Sequence, residues 1–168
     1  MSTLHTKKPY ARYISAVGVF LLKEENGKKF VLLQKRQNTG FADGFWEASA
    51  AGHVDEGEEM TDAVIHEATE ELCVSIDKKD LEFICLVCKK NECFKKDTSR
   101  PGEESFAIYN GFFACRKWKN EIAIGEPHKC SEIKWFDINE IPENTIADRK
   151  LAVEEGIINK ITYFNVGW

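Results

Sequence analysis

A layered α/β domain is the fold class this sequence predicts, and three observations predict it. Strand-sized apolar runs recur along the chain; two stretches, one central and one C-terminal, switch to helical periodicity; and 168 residues suit one domain of ordinary size. A single domain spanning 1–168 is therefore expected, with residues 1–10 as a polar, flexible tail. A domain of this length buries roughly 70% of its unfolded surface and needs no metal or disulfide staple to fold. Ile14 to Leu22 is crowded with Val, Ile, Phe and Leu and predicts a strand. Asn26-Gly27 predicts a hairpin turn, with Lys29 to Gln34 as the returning strand. Asn38 to Gly44 carries Gly40, Asp43 and Gly44 and predicts a loop, followed by extended chain from Phe45 to Ala51 that ends in Gly52. From Glu59 to Leu72, apolar Met60, Val64, Ala68 and Leu72 recur every four residues and form one stripe of a helix. Leu81 to Cys88 and Ser105 to Trp118 predict strands, separated by a charged, exposed loop from Asn91 to Glu104. Ile133 to Phe136 predicts a short strand, and Ala147 to Ile161 a second helix.

Composition excludes several functions. With 23 Lys and Arg against 28 Asp and Glu, the formal net charge is −5. A nucleic-acid polymer binder would carry a basic face, so no such partner is expected, whereas a small phosphate ligand bridged by a metal remains compatible. No window approaches the roughly 18 uncharged apolar residues of a membrane span. Met1 to Tyr13 has basic residues but no apolar core, so no signal peptide is expected. The six Cys show no paired framework, and a cytoplasmic protein with free thiols is the expectation.

The informative segment is Gly52-His-Val-Asp-Glu-Gly-Glu58, then seven residues, then His66-Glu67-Ala68-Thr69-Glu70-Glu71-Leu72-Cys73-Val74. Glu67, Glu70 and Glu71 share one region of the helix surface, where like charges repel by a few tenths of a kcal/mol each. A helix has no structural use for that cluster beyond a solvated acidic face. A hard divalent cation such as Mg²⁺, which takes carboxylate and phosphate oxygens, would offset the repulsion.

This segment resembles the Nudix box, Gly-x5-Glu-x7-Arg-Glu-U-x-Glu-Glu-x-Gly-U, with U a bulky aliphatic. Gly52, Glu58, Glu67, Glu70, Glu71 and Val74 match over 23 residues; His66 stands in the place of the Arg and Cys73 in that of the Gly. Looser resemblance extends over most of the chain. It implies a Nudix-type α/β/α sandwich: a mixed sheet between the box helix and the C-terminal helix. It implies Mg²⁺-dependent, or Mn²⁺-dependent, cleavage of the pyrophosphate linkage of a nucleoside diphosphate derivative. The favoured substrate is a (d)NTP, oxidised or non-standard ones included, cut to the monophosphate and pyrophosphate. ADP-ribose, a nucleotide sugar or another such derivative is the alternative, and a catalytically weak, regulatory nucleotide-binding domain is a further one.

Carried over residue by residue, Glu70 and Glu71 are the main metal ligands, Glu67 is a further ligand or the base, and the Gly52 carbonyl completes the site. Glu58 orients the box, and Glu126 is the candidate acidic ligand from a later loop, with Glu132 and Glu104 as alternates. Lys35 and Arg36 are candidates for holding phosphates, Trp46 for stacking on a base and Asn144 for reading a base edge. Many members are dimers, so a homodimer is among the expected arrangements. Two departures carry expectations of their own. His66 is shorter than Arg and supports Glu58 or Glu67 more weakly. Cys73 in a left-handed helix cap costs about 1 kcal/mol. Cys85-x2-Cys88-x4-Cys93, with His128 or Cys130, invites a zinc reading, but strand alternation points Cys85 and Cys88 to opposite faces.

Overall fold

The protein is described from a computed structural model covering residues 13–90 and 107–167. The expected tail at 1–10, the loop at 91–104 and the zinc candidate Cys93 lie outside these residues.

Why the first strand lacks polar alternation is answered by what lies on either side of it. In β1 (Ile14–Glu25), Val17, Val19 and Leu21 pack with Ala63, Val64, Ala68 and Leu72 of helix α1 (Met60–Leu72). The alternate residues Phe20 and Leu22 pack with Ala152, Val153 and Ile157 of the C-terminal helical segment. A strand buried on both faces reads as a continuous apolar run. The result is the expected α/β/α sandwich around a mixed sheet.

The remaining strands are β2 (Lys28–Arg36), β3 (Trp46–Glu47), β4 (Ala50–His53), β5 (Leu81–Lys90), β6 (Ala107–Cys115), β7 (Cys130–Asp137) and β8 (Tyr163–Val166). Among the described residues they form one path, β3-β2-β1-β6-β5-β8, with β4 added on β1 and β7 on β2. The pairs β1–β6 and β5–β8 are parallel and the others antiparallel. The turn at Asn26 and Gly27 has both φ values positive, 52° and 73°, as a tight hairpin requires.

The distal half of β1 pairs with β2, from Leu22↔Val31 to Glu25↔Lys28, while its proximal half pairs with β4, from Ala16↔His53 to Val19↔Ala50. Ser49, fully buried, occupies the point of divergence. Its Oγ accepts the Leu21 N–H at 2.8 Å and donates to the Leu32 carbonyl at 2.6 Å. A side-chain hydroxyl thus replaces one rung of the ladder, and the two halves splay into a wedge that opens toward α1.

Three boundaries differ from expectation. The extended stretch 45–51 is two strands, because Ser49 breaks it between β2 and β1. The strand expected to reach Trp118 stops at Cys115, after which Ser75 and Lys119 exchange backbone hydrogen bonds. The second helix is α2 (Ala147–Leu151), continued with π winding from Ala152 to Ile158 rather than to Ile161. Within that winding Gly156 lies so close to β5 that a Cβ would meet Ile84 Cγ2 at 2.9 Å. Strand β8 was not expected at all: it is four residues long and pairs in parallel on the sheet edge.

Candidate active site

Helix α1 presents the box from a fixed frame. Its last turn closes on Cys73 at φ 59°, ψ 20°, whose N–H reaches the Ala68 and Thr69 carbonyls. This is the left-handed cap expected at a position that favours glycine. Beyond it, Ala123 N–H donates to Leu72 O at 3.1 Å and Gly125 N–H to Glu71 O at 2.9 Å. These bonds satisfy the open carbonyls of the helix end and fasten the segment carrying Glu126 to the helix carrying Glu67 and Glu71. There is no room for any other residue at 125, where a Cβ would stand 1.8 Å from Glu70 O.

The carboxylates divide by environment. Glu71 reaches into the wedge, where its Oε2 accepts Gln34 Nε2 of β2 and the Ala51 N–H of β4, both at 2.8 Å. Burial pushes its carboxyl up to about 7; the two hydrogen bonds work against that, and the neighbouring Glu67 and Glu47 add to it. Glu67 lies flat on Gly52: a Cβ there would fall 1.8 Å from Glu67 Oε1. Burial, then the Glu70 charge, raise the Glu67 carboxyl, with Glu126 contributing in the same sense. Glu70 is half exposed and meets His66 Nε2 at 3.1 Å. Glu58 Oε2 accepts the Asp55 N–H at 3.1 Å, and its Oε1 stands 3.8 Å from His66 Nδ1. His66 therefore sits between Glu58 and Glu70, and the partner expected in Glu67 is replaced by Glu70.

A cavity of about 690 Å³ opens over Glu67 and Glu71, with Gln34, Arg36, Gly52 and Lys129 also in its wall; Glu58, Glu70 and Glu126 are not part of that wall. A larger hollow of about 930 Å³ lies elsewhere, against the β1–β2 hairpin and Ile157, away from the box. The carboxylate cavity is the one with chemistry in it. Lys129 is held by Glu126 at 2.9 Å, which raises its already high pKa and keeps it charged.

Among the described residues, no three His, Cys, Asp or Glu side chains converge tightly enough to grip an ion as they stand. The donor chemistry nevertheless fits a hard cation. Glu67 and Glu71 are half-buried carboxylates of raised pKa at one cavity wall, Glu67 occupies a cradle that only glycine leaves open, and Glu70 is one helical turn away. Thiol ligation does not fit. Cys85 and Cys88 are buried in β5, and burial lifts the Cys85 thiol to about 12, far from a thiolate.

The other candidates separate on strand parity. Gln34 and Arg36 face the cavity; Lys35 points to the opposite face, its Nζ 5.7 Å from the centre of the Trp46 ring. Arg36 Nε donates to Phe41 O at 2.9 Å and its NH1 approaches Glu47 Oε2 at 3.4 Å. Trp46 is not placed for stacking on a base: it is 6% exposed and packs edge-to-face on Phe136 in the core. Asn144 is exposed but outside the cavity wall; its Nδ2 donates to Gly44 O at 3.0 Å and its carbonyl accepts the Trp46 N–H. It pins the Asn38–Gly44 loop.

Sequence reasoning missed Gln34, Glu47, Asn110, Asp148 and Arg149, all of which line the cavity. Gln34 had a signal, two residues before Arg36 on the same strand face. Glu47 and Arg149 are 102 residues apart in the chain and had none.

A family model described as the NUDIX domain matches residues 12–154. No curated protein matches the chain. Among solved structures, a MutT NUDIX hydrolase from Burkholderia pseudomallei is similar with TM-score 0.65 and 21% identity, over 83% of this chain and 96% of that one. A C. elegans Ap4A hydrolase binary complex gives TM-score 0.57 and 19% identity, over 84% and 93%. The NUDIX domain of Shewanella oneidensis NrtR, complexed with ADP ribose, gives TM-score 0.65 and 18% identity, over 96% and 100%. At these identities the likenesses establish the fold.

Proposed function

Since the chain belongs to the Nudix family, we propose that it is a divalent-metal-dependent pyrophosphohydrolase of a nucleoside diphosphate derivative, with a (d)NTP as the favoured substrate. The observation that carries this reading is the pair Glu67 and Glu71, held at one wall of a cavity whose rim carries Arg36 and Lys129. A bound Mg²⁺ or Mn²⁺ supplies charge neutralisation of the diphosphate and an oriented water. Glu67, Glu70 and Glu71 are the residues that would hold it, with Gly52 and Glu126 beside them.

The chain's own residues do the rest. Gln34 and the Ala51 N–H fix the Glu71 carboxylate in one rotamer, so that no rearrangement is needed when a ligand arrives. Gly52 lets Glu67 lie at that same wall. Arg36 and Lys129 bring positive charge to the cavity and favour the phosphate end of a nucleotide. His66 restrains Glu70 and stands near Glu58, and so steadies the turn that leads into the helix.

The test is a pyrophosphate and phosphate release screen with Mg²⁺ or Mn²⁺. It covers canonical and oxidised (d)NTPs, ADP-ribose, nucleotide sugars and dinucleoside polyphosphates, with Glu71→Gln as blank. A hit abolished in the variant supports the hydrolase and names the substrate. Silence across the panel, with metal-dependent nucleotide binding intact, replaces it with a regulatory binding domain.

A further inference from the structure

The same cavity extends away from the carboxylates to an end formed by β6 and α2. There Asn110 and Asp148 are each 3% exposed, and both line the wall. Asn110 Nδ2 donates to Asp148 Oδ2 at 3.3 Å. The other oxygen of each side chain, Asn110 Oδ1 and Asp148 Oδ1, is buried without a hydrogen-bond partner. Buried acceptors are almost always satisfied, so two left open on one cavity wall call for a donor from outside the chain.

The nearby cations do not fill them. Arg149 spends its Nε on Glu47 and a terminal nitrogen on Asp148 Oδ2. Arg36 is turned to Glu47 and Phe41. Lys89 Nζ stands 3.9 Å from Asp148 Oδ1, close enough for attraction but beyond hydrogen-bond length. Burial opposes charge on Asp148, but Arg149, Lys89 and Asn110 together outweigh it and hold the carboxyl below its ordinary range. The buried polar atoms left without a partner at this end are therefore both acceptors, with the Lys89 ammonium beside them in the wall. A ligand edge without a donor would leave both acceptors open; an amine would satisfy them.

We propose that this end is a base-reading subsite selecting nucleotides whose base carries an exocyclic amine, with its N–H donors taken by Asn110 Oδ1 and Asp148 Oδ1. The inference rests on the nucleotide reading above and adds an orientation to it. The phosphates lie at Glu67 and Glu71, and the amino edge of the base lies at β6 and α2. A site built to hydrogen-bond a ligand donor discriminates strongly against the analogue lacking it, because its buried acceptors are then left open.

Calorimetric titration of the full chain in Mg²⁺ tests this with two matched pairs: CMP against UMP, and AMP against purine riboside 5′-monophosphate. The amino-bearing member of each pair binds at least about tenfold more tightly. In Asn110→Ala the ratio falls to about threefold or less while UMP affinity is unchanged; should that variant fail to fold, the two wild-type ratios decide alone. Equal affinities within the pairs, a reversed preference, or no binding of any nucleotide overturns the subsite. Turnover reads the other proposal separately. Hydrolysis without amino preference removes only the subsite, and preference without hydrolysis removes only the hydrolase.

Discussion

Replacing Gly52 with Ala separates the stability of this fold from its chemistry. Gly52 is not among the residues with positive φ, so its backbone accepts alanine without strain. The gain from a less flexible unfolded chain is about 0.4–1 kcal/mol. The new methyl, however, would stand 1.8 Å from Glu67 Oε1 and 2.2 Å from its Cδ. Ordinary contact lies near 3.5 Å, so the carboxylate must retreat by roughly 1.5 Å. The obstacle is the far end of a flexible side chain, and Glu67 can swing toward solvent at little cost to folding. A displacement of that size at a reacting centre costs about 100-fold in rate, or roughly 2.7 kcal/mol of barrier. Gly52→Ala should therefore melt no lower than the parent, and up to about 4 °C higher, while kcat/KM for the best substrate of the screen falls about 100-fold. Thermal melts and pyrophosphate release measured on the same preparations give both numbers, and Mn²⁺ titration followed by electron paramagnetic resonance should show weakened binding. Turnover retained at the parental level would refute the placement of Glu67 on Gly52. Loss of melting temperature with turnover preserved would refute the claim that the clash is borne by the side chain.

Three further outcomes follow from the geometry. The Glu71 carboxyl stands at about 7 in the folded chain and at the ordinary 4.5 when unfolded. The folded state therefore holds a proton that unfolding releases, and metal-free stability should fall as pH rises from about 4.5 to 7, by on the order of 1–3 kcal/mol. Urea unfolding across that range should show the decline, Glu71→Gln should flatten it, and Mg²⁺ at pH 8 should stabilise the parent but not the variant. Arg149→Met leaves the buried Glu47 carboxylate with Arg36 at 3.4 Å as its remaining ion-pair partner and takes the guanidinium from Asp148; it should cost about 3 kcal/mol in urea titration, part of it recovered by adding Glu47→Gln. Cys73→Gly removes a side chain from a left-handed cap at φ 59° and should raise stability by about 1 kcal/mol, read as a higher melting temperature.

What could be read from the sequence was whatever a local period encodes. The box lies on one helix, so the spacing of Glu67, Glu70 and Glu71 already set their shared face, and the apolar stripe of α1 set the face that packs. The Ile14–Leu22 run marked a strand, though not that both of its faces are buried. Lys35 and Arg36 show the limit: adjacent bases on a strand point oppositely, and only the pairing of β2 with β3 and β7 reveals which one meets the cavity. Trp46 looked available because it reads from sequence as part of the loop before the box, and its burial depends on Phe136, far along the chain. Gln34 and Glu71 are separated by 37 residues, and Asn110 and Asp148 by 38. Contacts over such separations leave no period, and neither does the π winding after Leu151, in which Gly156 lies against β5.

The wedge that Ser49 opens gives Glu71 a second occupation. By accepting from β2 and β4 with a single oxygen, it bridges the two halves of the sheet where their own rungs are missing. A descendant of this chain that abandoned catalysis would still need an acceptor there, which glutamine also supplies, so drift would keep Glu or Gln at 71 long after turnover had ceased. Among the described residues the Glu70 side chain bonds to an exposed histidine, and it would be free to change. Across divergent copies, the position that reports whether chemistry is still under selection is therefore 70, and a glutamate at 71 testifies only that the sheet still parts in the same place.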